Sequence, residues 1–465
     1  MKRWHLTLGL FGVAVVGAVL APRLMRLVSA PSTPEANVPI SEVATDRSEG
    51  HLVLRAGLDQ SAVRPGVPAE RFLVVHATAH AVPGAAPRHP VDLAVVLDAS
   101  GSMSAERKIE YARHAARQLA SSLQPGDSYA LVVFRDDVRV VVPAADHQDV
   151  AAIHSAIDEI VEGGGTNLYD GIKEGGAEVL RALDAGEVGR VVVLSDGHAN
   201  VGVVAPHKLA DLARGMREQD ITLSTIGLGL DFSEDTLASL SDIGGGTYAF
   251  VGDPVELSEV LSRELGAAAS VVARGTTITL LLPDGIEPIA LLGWEATRVN
   301  GGWRVYVGDI QAGQTVKIIA RVRVRAAAGD QPVATVEAMY EDLISERDTV
   351  SSAEVHVTAT TDEAAIRDSL DRERALEARR ALGGQLADRS TRAYQRGDVA
   401  RSRALLDESQ AMLRREAEEL DIPELKELQR SLQQFGYTMD DNAPTSSEGK
   451  RAIKSQKERY RDLSR

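Results

Sequence analysis

Three kinds of apolar patterning follow one another along the chain. Two strand-like runs, HLVLRAGL and RFLVVHATAH, come first, separated by the turn-rich DQSAVRPGVPAE. From about residue 91 to 270, short and nearly continuous apolar runs alternate with stretches of helical period. The pattern predicts strands at 93–98, 129–134, 138–142, 190–195, 221–227 and 247–250. It predicts helices at 108–123, 149–161, 168–183, 206–219, 234–243 and 254–269. Continuous apolar runs joined by helices belong to strands covered on both faces, and so to a doubly wound open sheet. The short DDVR turn between the second and third runs implies a hairpin and one antiparallel edge strand. After residue 273 the period changes again. TTITLLLP, WRVYVGDI, TVKIIARVRVR, PVATVEAMY and SSAEVHVTAT are strands at short intervals, the sign of an all-β module. From 362 to about 434 the chain is helical and dense in Ala, Leu, Arg and Glu.

Two strands ahead of the α/β stretch would be stranded unless they pair with those behind it. The expected architecture is therefore an α/β domain (88–270) inserted in a β-sandwich module (51–85 plus 272–358). A helical hairpin or bundle (361–438) and a disordered acidic-to-basic tail (439–465) follow. AYQRGDVARSRALLDESQAML is similar to a single tetratricopeptide-like unit, but solenoids need several, and a plain bundle is the reading adopted. The alternating Lys317, Arg321, Arg323 and Arg325 read as a solvated sheet face.

Ahead of all this, Lys2 and Arg3 precede residues 6–21, which hold no charge and one polar side chain, Thr7. That is the pattern of a secretory signal or membrane anchor. Small-residue sites after Ala21 and Ala30 are each followed by proline, which favours an uncleaved anchor over 1–28, with the body exported. Residues 29–50, rich in Pro, Ser and acid, read as a flexible linker. The expected location is thus membrane-anchored, with an extracytoplasmic body in the periplasm or at the cell surface.

Composition narrows the chemistry. A net charge of −16 argues against nucleic acid as a partner. The absence of cysteine removes disulfides, zinc–thiolate sites, iron–sulfur clusters and thiol catalysis together. What remains is oxygen chemistry, and one junction concentrates it. Between the first buried run and the first helix lies Asp98-Ala99-Ser100-Gly101-Ser102-Met103-Ser104. Helix capping accounts for such a segment taken alone. The other reading brings alternate residues to one oxygen-ligated cation, and it needs more oxygens from elsewhere. EGGGTNLYDG places Thr166 on a glycine-rich loop just before a helix, and RVVVLSDGHAN places Asp196 directly after a buried strand. Both fall beyond the carboxyl ends of strands, where open α/β sheets bind ligands. Asn167 and His198 stand nearby and are read as turn and exposed loop residues.

On these residues the segment 92–269 resembles a von Willebrand factor type A (VWA) domain with a complete metal-ion-dependent adhesion site. The DxSxS motif is Asp98, Ser100 and Ser102, the loop threonine is Thr166 and the later aspartate is Asp196. The resemblance implies a Rossmann-like α/β fold and a metal held by those five residues. The serines and threonine would bind directly in some states, and one aspartate would often act through water. It also implies an open coordination position for an Asp or Glu carboxylate of a partner. Five oxygen donors suit a hard cation, Mg²⁺ first, with Mn²⁺ or Ca²⁺ as alternatives. The expected function is a metal-dependent adhesion or scaffold module at the cell envelope, without enzymatic activity. The alternative is a VWA partner of a separate chelatase-type AAA+ ATPase, since the chain has no P-loop. A metal-assisted hydrolase ranks below both, because no base or nucleophile stands beside the metal residues.

Overall fold

In the computed structural model, which describes residues 47–464 other than 49, 81–87, 147–148, 185, 197, 230–233 and 252, the strands on either side of the α/β stretch pair with one another. Ahead of it lie β1 (Arg47–Ser48), β2 (Leu52–Leu58), β3 (Ala62–Val63) and β4 (Ala69–Ala79). The α/β stretch runs β5 (Val91–Asp98), α1 (Lys108–Ser122), β6 (Ser128–Phe134), β7 (Val138–Ala145), α2 (Val150–Asp158) and α3 (Leu168–Ala182). It continues with β8 (Val188–Ser195), α4 (Pro206–Arg217), β9 (Ile221–Leu228), α5 (Glu234–Gly244), β10 (Gly245–Val251) and α6 (Leu257–Ala269). Behind it come β11 (Val271–Leu281), β12 (Ile286–Leu292), β13 (Thr297–Val299), β14 (Gly302–Gln311), β15 (Thr315–Val324), β16 (Gly329–Asp342) and β17 (Arg347–Ala359). The chain ends in α7 (Glu363–Asp368), α8 (Arg372–Gln395), α9 (Val399–Glu419), α10 (Leu425–Asp441) and α11 (Ser447–Ser464).

One sheet has the order β12-β15-β4-β2 and the facing one β1-β17-β16-β11-β14-β13, with β3 beside β17. Their inner faces bury Leu52, Leu54, Leu73, Val75, Ile278, Leu280, Trp303, Ile318 and Val336 in a shared core. This is the period-2 alternation of a sandwich, with every second residue turned inward. β1 lies in the stretch read as linker. Arg47 and Ser48 instead pair with Ser352 and Ser351 of the edge strand β17, which satisfies backbone groups an open edge would leave bare. The outer face of the four-stranded sheet is also less solvated than its lysine and arginines suggest. Phe72, Val74 and Ile319 are sealed there by Ala378 and Ala381 of α8. At its margin Glu377 accepts from Lys317 Nζ at 3.1 Å and His76 Nε2 at 2.8 Å, while Arg321 and Arg323 pair with Glu70.

The inserted domain has the sheet order β10-β9-β8-β5-β6-β7, parallel except for the β6–β7 hairpin. Every residue of β5, β8 and β9 is buried, as both faces are covered. Helices α1, α2 and α6 close one side, and α3, α4 and α5 the other. Helix α3 comes close because it meets the sheet through glycines: a Cβ on Gly175 would lie 2.3 Å from Val96 Cγ2. Gly175→Val is therefore expected to cost about 1–3 kcal/mol by overpacking, read from a urea midpoint shift at constant slope.

The two ends of the insertion meet, with His89 N donating to Ala269 O at 3.2 Å. Beside that junction the buried Arg190 of β8 pairs with Glu264 of α6 at 3.2 Å and Asp309 of β14 at 3.5 Å. At the same edge of the sheet, burial pushes the Asp92 carboxyl up to about 7. The neighbouring Glu187 carboxyl pushes the same way, against the Ser128 hydroxyl, which donates to Asp92 at 2.5 Å. An acid raised above its unfolded value binds its proton more tightly when folded, so its ionisation costs stability as pH rises from about 4 through 7. Asp92→Asn keeps the shape and removes the charge. Its melting temperature relative to the parent is expected to climb between pH 5 and pH 8.

The C-terminal segment departs from the expected disorder. Residues read as a tail form the end of α10 and all of α11, which packs on α8. Ile453 joins the bundle core, and Gly384 leaves room for the Tyr460 ring. Lys457 Nζ reaches Asp235 Oδ1 at 2.7 Å and Gln395 Oε1 at 3.0 Å, and Lys454 lies 5.3 Å from the Phe250 ring centroid. The helix is held by the stems and charges of its lysines on α5 and β10, which a composition reading counts as solvated. The proposed anchor over 1–28 lies outside the described residues. Among those described, no helix is long and apolar enough to cross a membrane.

Candidate metal centre

Parallel strands end together, so the residues following β5 and β8 come to one edge of the sheet. Asp98 closes β5, and Asp196 follows β8 beside it; both are buried. After Asp98 the chain does not enter a capped helix. Gly101–Arg107 form a 3-10 turn broken by Glu106 and Arg107 at positive φ, and α1 begins at Lys108. Neither helical start accepts a side-chain cap, and Ser104 Oγ donates to Gly101 O at 2.8 Å. The capping account of the serines therefore fails.

The hydroxyls meet each other instead. Ser100 Oγ and Ser102 Oγ are 3.1 Å apart, and Ser102 Oγ donates to Asp196 Oδ1 at 2.6 Å. Asp98 Oδ1 accepts from Ser100 N at 2.8 Å, and Oδ2 from Ser195 Oγ at 2.6 Å. Thr166, also buried, sits on a loop stitched to the same turn: Gly163 N donates to Ala99 O at 2.8 Å and Gly101 N to Gly164 O at 3.1 Å. Thr166 N donates to Asn200 Oδ1 at 2.8 Å, and Gly165 N to Asp136 Oδ1 at 3.0 Å. The structure thus joins Asp98, Ser100, Ser102 and Asp196 through hydrogen bonds and brings the Thr166 loop against them. Asn167 caps α3 through Asp170, and His198 is exposed.

Burial pushes the Asp98 carboxyl up to about 6, with the Asp196 charge adding to it, against the hydrogen bonds from Ser100 and Ser195 that hold it down. The donor set is oxygen only, two carboxylates and three hydroxyls, and it suits a hard divalent cation in both charge and ligand type.

Three participants were not found by sequence reasoning. Ser195 orients Asp98, Asn200 holds the threonine loop, and Lys108 Nζ donates to Asp196 Oδ2 at 2.8 Å. Ser195 and Asn200 flank a motif already singled out, which was a usable signal. Lys108 opens an amphipathic helix and carries none.

Residues 92–263 match the von Willebrand factor type A domain family, so this part of the chain is a VWA domain. Among proteins of known sequence, the chain is similar to the uncharacterized protein YfbK of Escherichia coli K12, 25% identical over 234 residues. That match covers 49% of this chain and 41% of YfbK, so the chain spans well under two thirds of its relative's length. Among solved structures, a von Willebrand factor type A protein from Catenulispora acidiphila superposes with a TM-score of 0.64 at 18% identity, covering 82% of this chain and 90% of that one. The ArnB paralog VWA2 from Sulfolobus acidocaldarius gives 0.57 at 17% identity, over 89% and 99% of the two chains. At such identities the likeness is one of fold, and it extends well beyond the VWA domain.

Proposed function

We propose that the chain is a divalent-cation-dependent protein-binding module. Asp98, Ser100, Ser102, Thr166 and Asp196 hold the ion, Mg²⁺ first and Mn²⁺ or Ca²⁺ as alternatives, and an Asp or Glu carboxylate of a protein partner completes its coordination. The observation that carries this reading is the Ser100–Ser102–Asp196 hydroxyl–carboxylate chain beside buried Asp98 at the carboxyl edge of the sheet. The three hydroxyls are neutral ligands, so an ion held there keeps its appetite for an anionic oxygen. No catalytic family is evident for the chain, and the VWA family consists mostly of binding modules. The charge-free run at residues 6–21 supports placing this module at the cell envelope on an N-terminal anchor.

Calorimetric titration with Mg²⁺ and Mn²⁺ tests the metal. The expected result is about one ion per chain, with binding lost in the Ser100→Ala, Ser102→Ala double variant. An unchanged isotherm in that variant rules out this site.

A further inference from the structure

The Lys108 ammonium is a fixed cation inside the cluster. Its side chain is 7% exposed, its Nζ lies 2.8 Å from Asp196 Oδ2, and the opposite oxygen of the same carboxylate takes Ser102. The seat is built: a Cβ on Gly229, which follows β9 at positive φ, would fall 2.9 Å from Lys108 Cε. Neighbouring strand ends thus supply the aspartate and the glycine that enclose the lysine.

We infer that Lys108 makes cation binding and carboxylate binding depend on each other. The inference rests on the metal reading above and extends it to the partner's charge. The buried groups of the site are two carboxylates and one ammonium, so their formal charge is −1. A divalent cation alone brings the set to +1, an unfavourable surplus in a buried place. A third carboxylate, from a partner, returns it to zero. Without the lysine charge the two aspartates would balance a dication unaided, and a further anion would leave an excess. Lys108 therefore weakens the hold on the bare ion and strengthens the preference for an anionic ligand. It is a specificity-setting residue that acts through Asp196. By linkage, whatever carboxylate binding does for the cation, the cation does for carboxylate binding.

The experiment is Mn²⁺ titration of the full chain in acetate and in perchlorate of equal ionic strength, corrected for Mn²⁺–acetate association. It compares the parent with Lys108→Met and Lys108→Arg. The parent is expected to bind Mn²⁺ more tightly in acetate. Lys108→Met is expected to bind about tenfold tighter in perchlorate and to lose most of the acetate dependence, whereas Lys108→Arg keeps the parental pattern. Because Lys108→Met leaves Asp196 without its ammonium, the melting temperature with and without Mn²⁺ is followed as well. A larger Mn²⁺-induced rise than in the parent supports the inference even where the variant is marginally stable. Lys108→Met with parental affinity and parental acetate dependence overturns it, as does weaker binding in both salts. A parent that binds no Mn²⁺ in either salt overturns the metal reading itself, a different outcome from binding without acetate dependence.

Discussion

Arg190→Ala is expected to destabilise the protein by about 3–5 kcal/mol, the usual consequence of removing one member of a buried ion cluster. The guanidinium is buried and faces Glu264 of α6 and Asp309 of β14. The loss does not fall equally on the two acids. Asp309 keeps Thr222 Oγ1 at 2.7 Å and Gly275 N at 3.1 Å, so it stays hydrogen-bonded without the arginine. For Glu264 the Arg190 pair is the only side-chain partner among the described residues, and without it the carboxylate is left buried. The compensating variant is therefore Arg190→Met with Glu264→Gln, expected to recover most of the loss, while Arg190→Met with Asp309→Asn recovers less. Urea unfolding measures all three. If Arg190→Ala falls within about 0.5 kcal/mol of the parent, as an ordinary surface substitution does, the cluster is not holding α6 to the sandwich.

Asp196→Ala is expected to do two things that the neighbouring Ser102→Ala separates. It removes a ligand of the proposed cation site, so Mn²⁺ affinity should fall by at least the 10–100-fold or so that lesser changes around metal sites produce. It also leaves the Lys108 ammonium buried with its carboxylate gone, at about 3–5 kcal/mol. Ser102 is exposed and donates to Asp196, so its loss should cost no more than about 0.5–1.5 kcal/mol, the range of a single hydrogen bond. Calorimetry and thermal unfolding on the same samples give the comparison. Equal stability of the two variants means that the lysine is not dependent on Asp196. Retained Mn²⁺ binding in Asp196→Ala removes this residue from the ligand set.

The α/β domain was legible in the sequence because its strands are buried on both faces, so that 93–97 and 191–194 carry nothing but aliphatic side chains. The grouping of Asp98, Ser100, Ser102 and Asp196 with the Thr166 loop was legible for a related reason: three separate segments carry oxygen-bearing side chains at the ends of buried strands, and parallel strands bring such ends together. The pairing of β4, itself paired with β2, to β15 some 240 residues later followed from a different logic, that isolated strands do not persist. What escaped reading was polar material that turns out to be buried. Lys108 looks like any basic residue starting a helix. Helix α11 has few apolar positions, and its packing buries Lys454 and Lys457 against the Phe250 ring and Asp235, both far away in sequence. The outer sheet face misled in the same way, since the alanines of α8 that cover it give no local sign of what they cover.

The hydrogen bond between His89 and Ala269 places the entry and exit of the inserted domain side by side, at the edge of the sheet away from Asp98 and Asp196. A tug applied at the carboxyl edge is consequently borne by two covalent strands at once, one leading to β4 and one to β11. The Arg190 cluster lies beside them as a third, non-covalent stay. The two covalent strands run into different sheets of the sandwich, one into the β4–β15 ladder and one into the β11–β16 ladder, so pulling the domain from its base means disrupting both sheets rather than one. Were the proposed module to grip a partner at one face while fixed at the other, this would be the geometry of a mooring.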